Sequence, residues 1–155
     1  MADAAAPLPR LSTPASGGAH PGQPPTLLVA DDNQGDALLL ELACADAGLT
    51  VRIVHAADGE RAWVLLQEAA RAPQCPFALV VLDLNLRLVD GLQLLARMRG
   101  EAALAALPTI LFTSSTSPDD QARALLLRPS AYLVKPADYH GLASVVATVR
   151  ALLAG

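Results

Sequence analysis

Four apolar segments of this chain each run out onto residues able to do chemistry. Thr26-Leu-Leu-Val-Ala30 ends on Asp31 and Asp32, Phe77-Ala-Leu-Val-Val-Leu82 on Asp83, Pro108-Thr-Ile-Leu-Phe112 on Thr113, and Ala131-Tyr-Leu-Val134 on Lys135 and Pro136. An Asp-Asp pair alone is commonplace in solvated turns and helix caps, and Thr113, Ser114 and Ser115 can simply cap a strand end. Position changes the reading. If these segments are strands ending on one rim, three carboxylates crowd together, and their repulsion raises their pKa values unless a cation neutralises them. Oxygen-only ligands of this hardness suit Mg2+ (or Mn2+), which keeps waters and shares its shell with phosphate oxygens. A carboxylate beside such a cation, with an ammonium and a hydroxyl at hand, is equipped to attack phosphorus and hold the charge of the transferring group. Lys135 is the only lysine among 11 Lys and Arg residues, so a generic surface role for it is the less expected one.

The elements that must position these residues follow from the spacing of apolar and turn-forming residues. Residues 26–30 read as a first strand; residues 35–47 read as a helix with Leu38, Leu39, Leu42 and Ala45 at helical spacing and Gly48 as its left-handed stop. A second strand spans 51–56, and Asp58 caps a helix to about residue 70. Residues 77–82 are apolar at every position, as in a strand covered on both faces. A helix follows Gly91 to about residue 101, then a fourth strand over 108–112, and Ser117-Pro118-Asp119-Asp120 starts a fourth helix with proline in its first turn. The last strand is 131–134, and Asp138 is placed to cap a final helix presenting Leu142, Val145, Val146, Val149 and Leu152 along one face. Strands alternating with helices require parallel pairing: a three-layer, doubly wound α/β sandwich of (βα)5 type whose ligands sit outside the carboxyl ends of the strands.

Composition narrows the possibilities. With 155 residues, 53% of them hydrophobic, the chain has room for about one domain with an aliphatic core. A formal net charge of −4 and no basic stripe argue against nucleic acid, and no uncharged apolar run reaches the length of a membrane span. Cys44 and Cys75 show no ligand or disulfide spacing and no signal peptide is evident, so a reducing cytoplasm is expected. Residues 1–25 hold Pro7, Pro9, Pro14, Pro21, Pro24 and Pro25 without an apolar period and read as a disordered tail ahead of a domain over 26–155. His20, His55 and His140 lack neighbours at ligand spacing and read as tail, strand and surface residues.

Leu28-Val-Ala-Asp-Asp-Asn33, Val81-Leu-Asp-Leu-Asn85, Pro108-Thr-Ile-Leu-Phe-Thr-Ser-Ser115 and Ala131-Tyr-Leu-Val-Lys-Pro136 occur in order and at the right separations to resemble the receiver domain of response regulators of the CheY type. The segments Asp-Asn-Gln-Gly-Asp36, Asp-Leu-Asn-Leu86 and Thr-Ser-Ser115 further resemble the single-domain regulators that partner bacteriophytochrome histidine kinases. The resemblance implies a flavodoxin-like sheet of order 2-1-3-4-5. It implies that Asp83 accepts a phosphoryl group, that Asp31, Asp32, Asp83 and the Asn85 carbonyl hold Mg2+, that Lys135 and Thr113 contact phosphoryl oxygens, and that Tyr132 follows the Thr113 hydroxyl as a switch. Pro136 is a candidate for a cis peptide bond aiming the ammonium inward. Two departures stand out: Arg87 replaces the proline common four residues after the phosphoacceptor, and Arg128-Pro129-Ser130 replaces Gly-Ala before the last strand. A more mobile loop is expected at the first, and a solvated arginine is its plain reading.

The function this implies is two-component signalling: a phosphoacceptor that catalyses its own phosphorylation and dephosphorylation rather than turning over an external substrate. With the last helix ending the chain, output is expected through protein contacts. The partners implied are a sensor histidine kinase, a histidine phosphotransfer protein, and a second copy bound through the fourth helix, fifth strand and fifth helix, where Leu125, Leu126 and Leu127 are too many for one helix to bury. The alternative is a receiver-like interaction module that is not phosphorylated in use. A haloacid-dehalogenase-type phosphatase is disfavoured because its second acid, two residues after the nucleophile, is here Asn85.

Overall fold

Leu27 through Ala30 are all buried, although successive side chains of a strand point to opposite faces. Such a segment fits only inside a sheet covered on both sides. A computed structural model of the protein describes residues 22–155 and contains that sheet. In chain order the elements are β1 (Thr26–Ala30), α1 (Gln34–Asp46), β2 (Arg52–Ala56), α2 (Gly59–Arg71), β3 (Leu79–Leu82), α3 (Gly91–Arg99), β4 (Thr109–Thr113), α4 (Pro118–Leu125), β5 (Ala131–Val134) and α5 (Leu142–Ala154). The strands pair in parallel in the order β2-β1-β3-β4-β5, so the order reverses between β1 and β3 and leaves a crevice at their carboxyl ends.

Alternation along the strands divides the core in two. Leu28, Ala30, Val80, Leu82 and Leu111 face Ala62 and Leu66 of α2, Leu94, Leu95 and Met98 of α3, and Ala124 of α4. Leu27, Val29, Leu79, Val81, Ile110 and Phe112 face Ala37, Leu40, Ala43 and Cys44 of α1 and Leu142, Val145, Val146 and Val149 of α5. Each fully buried leucine contributes about 1.5–3 kcal/mol, so the sheet is held from both sides and its carboxyl rim stands on a rigid base.

Several local expectations need correction. On α1 the buried stripe is Ala37, Leu40, Ala43 and Cys44, while Leu38, Leu39 and Leu42 are exposed. The helix is apolar nearly all round, and the side that meets the sheet is made of small residues with the single leucine Leu40. Asp138 does not cap α5; it accepts from Gly141 N at 3.1 Å and caps a short 3-10 turn, Tyr139–Gly141, that leads into α5. Asp90, unread in the sequence, forms a capping box with Gln93 at the start of α3. Gly48, with φ +77°, ends α1 as expected. Of the expected tail, residues 1–21 lie outside the described residues, and Pro25 already accepts a hydrogen bond from Arg52 N at 2.8 Å.

The turn from α4 to β5 puts Arg128 at φ +54°, where glycine is the easy choice. Arg99, at the end of α3, secures it. Its guanidinium donates to Leu127 O at 3.1 Å, Arg128 O at 3.0 Å and Ala105 O at 3.1 Å. The loop after β3 is pinned as well: Gly59 N donates to Arg87 O at 3.1 Å and Gly91 N to Leu84 O at 3.1 Å. These bonds fasten the loop backbone at Arg87 and at Leu84. Arg87 itself is exposed, whereas Leu88 stands 71% exposed at φ +72°.

A Cβ added at Gly59 would sit 1.6 Å from the Val89 carbonyl oxygen, inside backbone that cannot retreat. Gly59→Ala should cost at least about 2 kcal/mol, read as a lower urea midpoint at unchanged slope, and a shift under about 0.5 kcal/mol would show that the loop is not seated on α2.

Candidate functional site

Consecutive residues at the end of β1 take different environments. Asp31 is buried and Asp32 is exposed at the rim. Asp31 Oδ1 accepts from Asn33 N at 2.8 Å, and Asp83 Oδ1, just past β3, accepts from Asn85 N at 3.0 Å. Each buried acid thus turns one oxygen to backbone and leaves the other toward the crevice. Lys135 arrives from the far side because its N–H continues the β4–β5 ladder, donating to Thr113 O at 2.7 Å. Its ammonium then reaches Asp31 Oδ2 at 2.8 Å, Asp83 Oδ2 at 2.9 Å and Asp36 Oδ2 at 2.7 Å, with the Phe112 ring centroid 5.8 Å away. Three protons meet three carboxylates.

Electrostatics follow from this crowding. Burial lowers the affinity of the Lys135 amine for its proton, but hydrogen bonds to Asp31, Asp36 and Asp83 outweigh it and hold the pKa above its ordinary value. Burial raises the Asp31 carboxyl above its usual 3.8, against the lysine hydrogen bond that lowers it. Oxygens of Asp31, Asp32 and Asp83 all lie within 4.8 Å of one another, a spacing and donor chemistry that fit a hard divalent cation. One ammonium does not balance them.

Thr113 is buried at the end of β4, its Oγ1 accepting from Ser115 N at 3.2 Å. Beyond it the loop is held by side chains: Ser115 Oγ donates to Asp120 Oδ2 at 2.6 Å, Ser117 N to Ser115 Oγ at 3.2 Å, and Tyr132 OH to Ser115 O at 3.4 Å. Asp120 also faces Arg123 at 3.7 Å. The predicted residues Asp31 and Asp83 both contact Lys135, Asp32 and Asn85 flank them, and Thr113 and Tyr132 are linked to each other through Ser115. Pro136 corrects an expectation: no described peptide bond is cis. The trans form is favoured even before proline by about 0.5–1 kcal/mol, and the ladder bond from Lys135 N already delivers the ammonium.

Two participants escape sequence reasoning. Asp36, in the first turn of α1, gives the shortest contact to Lys135. His55, read as a plain strand residue, has Nε2 2.6 Å from Asp31 O and so carries the proton there. Asp36 could have been suspected as an acid one helical turn past the Asp pair; His55 had no signal, because only the β1–β2 register brings it near.

Comparison with known proteins agrees with this geometry. The family model "Response regulator receiver domain" matches residues 27–147. The probable methanogenesis regulatory protein FilR2 of Methanothrix harundinacea is 32% identical over 124 residues, 80% of either chain. The phosphorylated cyanobacterial phytochrome response regulator RcpA superposes with TM-score 0.74 at 26% identity, covering 86% of this chain and 96% of its own. The Mn2+-bound form of response regulator Rcp1 gives TM-score 0.70 at 26% identity, over 83% and 93% of the two chains.

Mg2+ should bind, and Asp32→Ala together with Asp31→Ala should remove most of the affinity in a calorimetric titration; equal affinity in wild type and double variant would rule out this cluster. Because the buried Asp31 carboxyl titrates above 3.8 and must be ionised to ligate, affinity should begin to fall at a higher pH than an ordinary aspartate dictates.

Proposed function

The chain belongs to the response regulator receiver family, and from that premise we propose that it accepts a phosphoryl group from a sensor histidine kinase on Asp83 and signals through altered protein contacts. The observation that carries this reading is the Asp83 carboxylate, buried at the end of the central strand with one oxygen 2.9 Å from Lys135 Nζ and the Asp31 and Asp32 oxygens within 4.8 Å. Mg2+, held by Asp31, Asp32, Asp83 and the Asn85 carbonyl, would supply charge neutralisation for the phosphoryl oxygens. Asp83 attacks phosphorus in line, the phosphorus–nitrogen bond to the donor imidazole breaks, its electron pair stays on the ring nitrogen, and that nitrogen takes a proton. Lys135 exchanges its contact with Asp83 for one phosphoryl oxygen, and the Thr113 hydroxyl donates to another.

Turning Thr113 toward the phosphoryl group redirects a hydroxyl that now accepts from Ser115 N, and the change reaches Tyr132 and α4 through Ser115. That is the switch in this reading. Similarity to RcpA, whose structure is described as that of a phytochrome response regulator, supports a bacteriophytochrome as the kinase. A cytoplasmic setting accords with this; among the described residues no helix is long and apolar enough to cross a membrane.

Incubation with Mg2+ and a small phosphodonor should add one phosphoryl group by intact mass, and Asp83→Asn should abolish it with the fold intact. No addition to the wild type would favour a module that is not phosphorylated in use; addition to the variant would move the site elsewhere.

The face of α4, β5 and α5 is proposed to pair with a second copy. Leu125 is 55% exposed, Leu126 81% and Val134 45%, an apolar strip that association would cover. Sedimentation should show a dimer whose fraction rises with phosphorylation and falls in Leu126→Glu, whereas a monomer at high concentration in both states would dismiss it.

A further inference from the structure

Lys135 is asked to do two things with the same partners. Its ammonium is held by Asp31 and Asp83, yet these two also belong to the trio of acids whose oxygens converge on a cation position. Once a divalent cation engages them, before a phosphoryl group brings oxygens of its own, the lysine loses much of its counter-charge and gains a like charge nearby. A lysine side chain is long and flexible, so one left with weakened anchors swings toward solvent. Asp36 stands outside that trio, 2.7 Å from Nζ and half-buried. It is carried on the first turn of α1, where Asn33 caps the helix and Ala37 and Leu40 pack into the core, so its carboxylate is held by an element that the chemistry does not disturb.

We propose that Asp36 is a positioning residue that keeps the Lys135 ammonium over the site when Asp31 and Asp83 are engaged elsewhere. The inference rests on the phosphoacceptor reading and deepens it. An exposed ion pair at this position would be worth little, but the Lys135 side chain is only 16% exposed and the pair shares its ammonium with the reacting acid. Asp36 thereby limits the lysine to a short excursion: from Asp83 Oδ2 to a phosphoryl oxygen, with the third contact kept.

The chain's single lysine makes the test direct. Protein labelled with 15N-lysine gives one side-chain ammonium resonance, and at low temperature hydrogen-bonded ammonium protons exchange slowly enough to be seen. Wild type should keep that signal on saturation with Mg2+. Asp36→Asn should show it without metal, when Asp31 and Asp83 hold the ammonium, and lose it when Mg2+ is added. Its phosphorylation by a small donor should slow by about 10- to 100-fold, as expected for a misplaced reacting group. Asp36→Glu should restore both the signal and most of the rate, and serves as the test should the asparagine variant not fold. A signal that survives Mg2+ in Asp36→Asn, or no recovery in Asp36→Glu, would overturn the inference. Absence of Mg2+-induced backbone amide shifts in wild type would instead overturn the metal-site reading on which it rests.

Discussion

One ammonium among four carboxylates governs the arrangement of the carboxyl rim. Asp31 and Asp36, from the junction of β1 with α1, and Asp83, from the end of β3, share the Nζ of Lys135, while Asp32 stands at the edge. Buried carboxylates without a partner are expensive, and removing one partner from a buried ion pair costs about 3–5 kcal/mol. The register of β4 with β5, the order reversal between β1 and β3, and the seating of α1 all have to be right for this contact to form. The residual negative charge is what makes the rim receptive to a divalent cation, so the imbalance belongs to the site's design.

The backbone around Asp83 is fixed by close approach rather than by side chains. Gly59 lets α2 meet the loop at Val89, and an added Cβ at Gly91 would lie 2.3 Å from the Asp83 carbonyl oxygen. These glycines compensate for Arg87, which leaves φ free where proline would fix it. They also explain why Leu88 can be kept at a positive φ: the chain on either side of it is already anchored.

Much of the architecture was legible because two signals coincide at four of the five strands, β2 being the exception: continuous apolar character and a polar residue at the end. β5 over Ala131–Val134 and the Asp58 and Ser117 caps follow from local chemistry alone. The misreadings have physical causes. Helical periodicity could not select the buried stripe of α1, since leucines and alanines occupy both sides and only the distance to the sheet decides. Asp138 is a good cap, but nothing in its neighbourhood distinguishes a 3-10 turn from an α-helix. Asp36 and His55 act across distances in sequence of 99 and 24 residues, beyond any local pattern, and at Lys135-Pro136 proline chemistry makes a cis bond accessible without requiring it.

Arg99 gives α4 a fixed heel. The guanidinium grips Leu127 and Arg128 just past the carboxyl end of the helix, whereas its amino end hangs on hydroxyl and carboxylate contacts among Ser115, Ser117 and Asp120. A helix of this length is about 12 Å long, so a tilt of about 10° about the heel carries the first turn roughly 2 Å and leaves the last turn almost still. Any such tilt would be a lever stroke, largest at the amino end of α4 beside Ser115 and smallest at the α3 junction, so a surface contact that sensed it would do best at the free end.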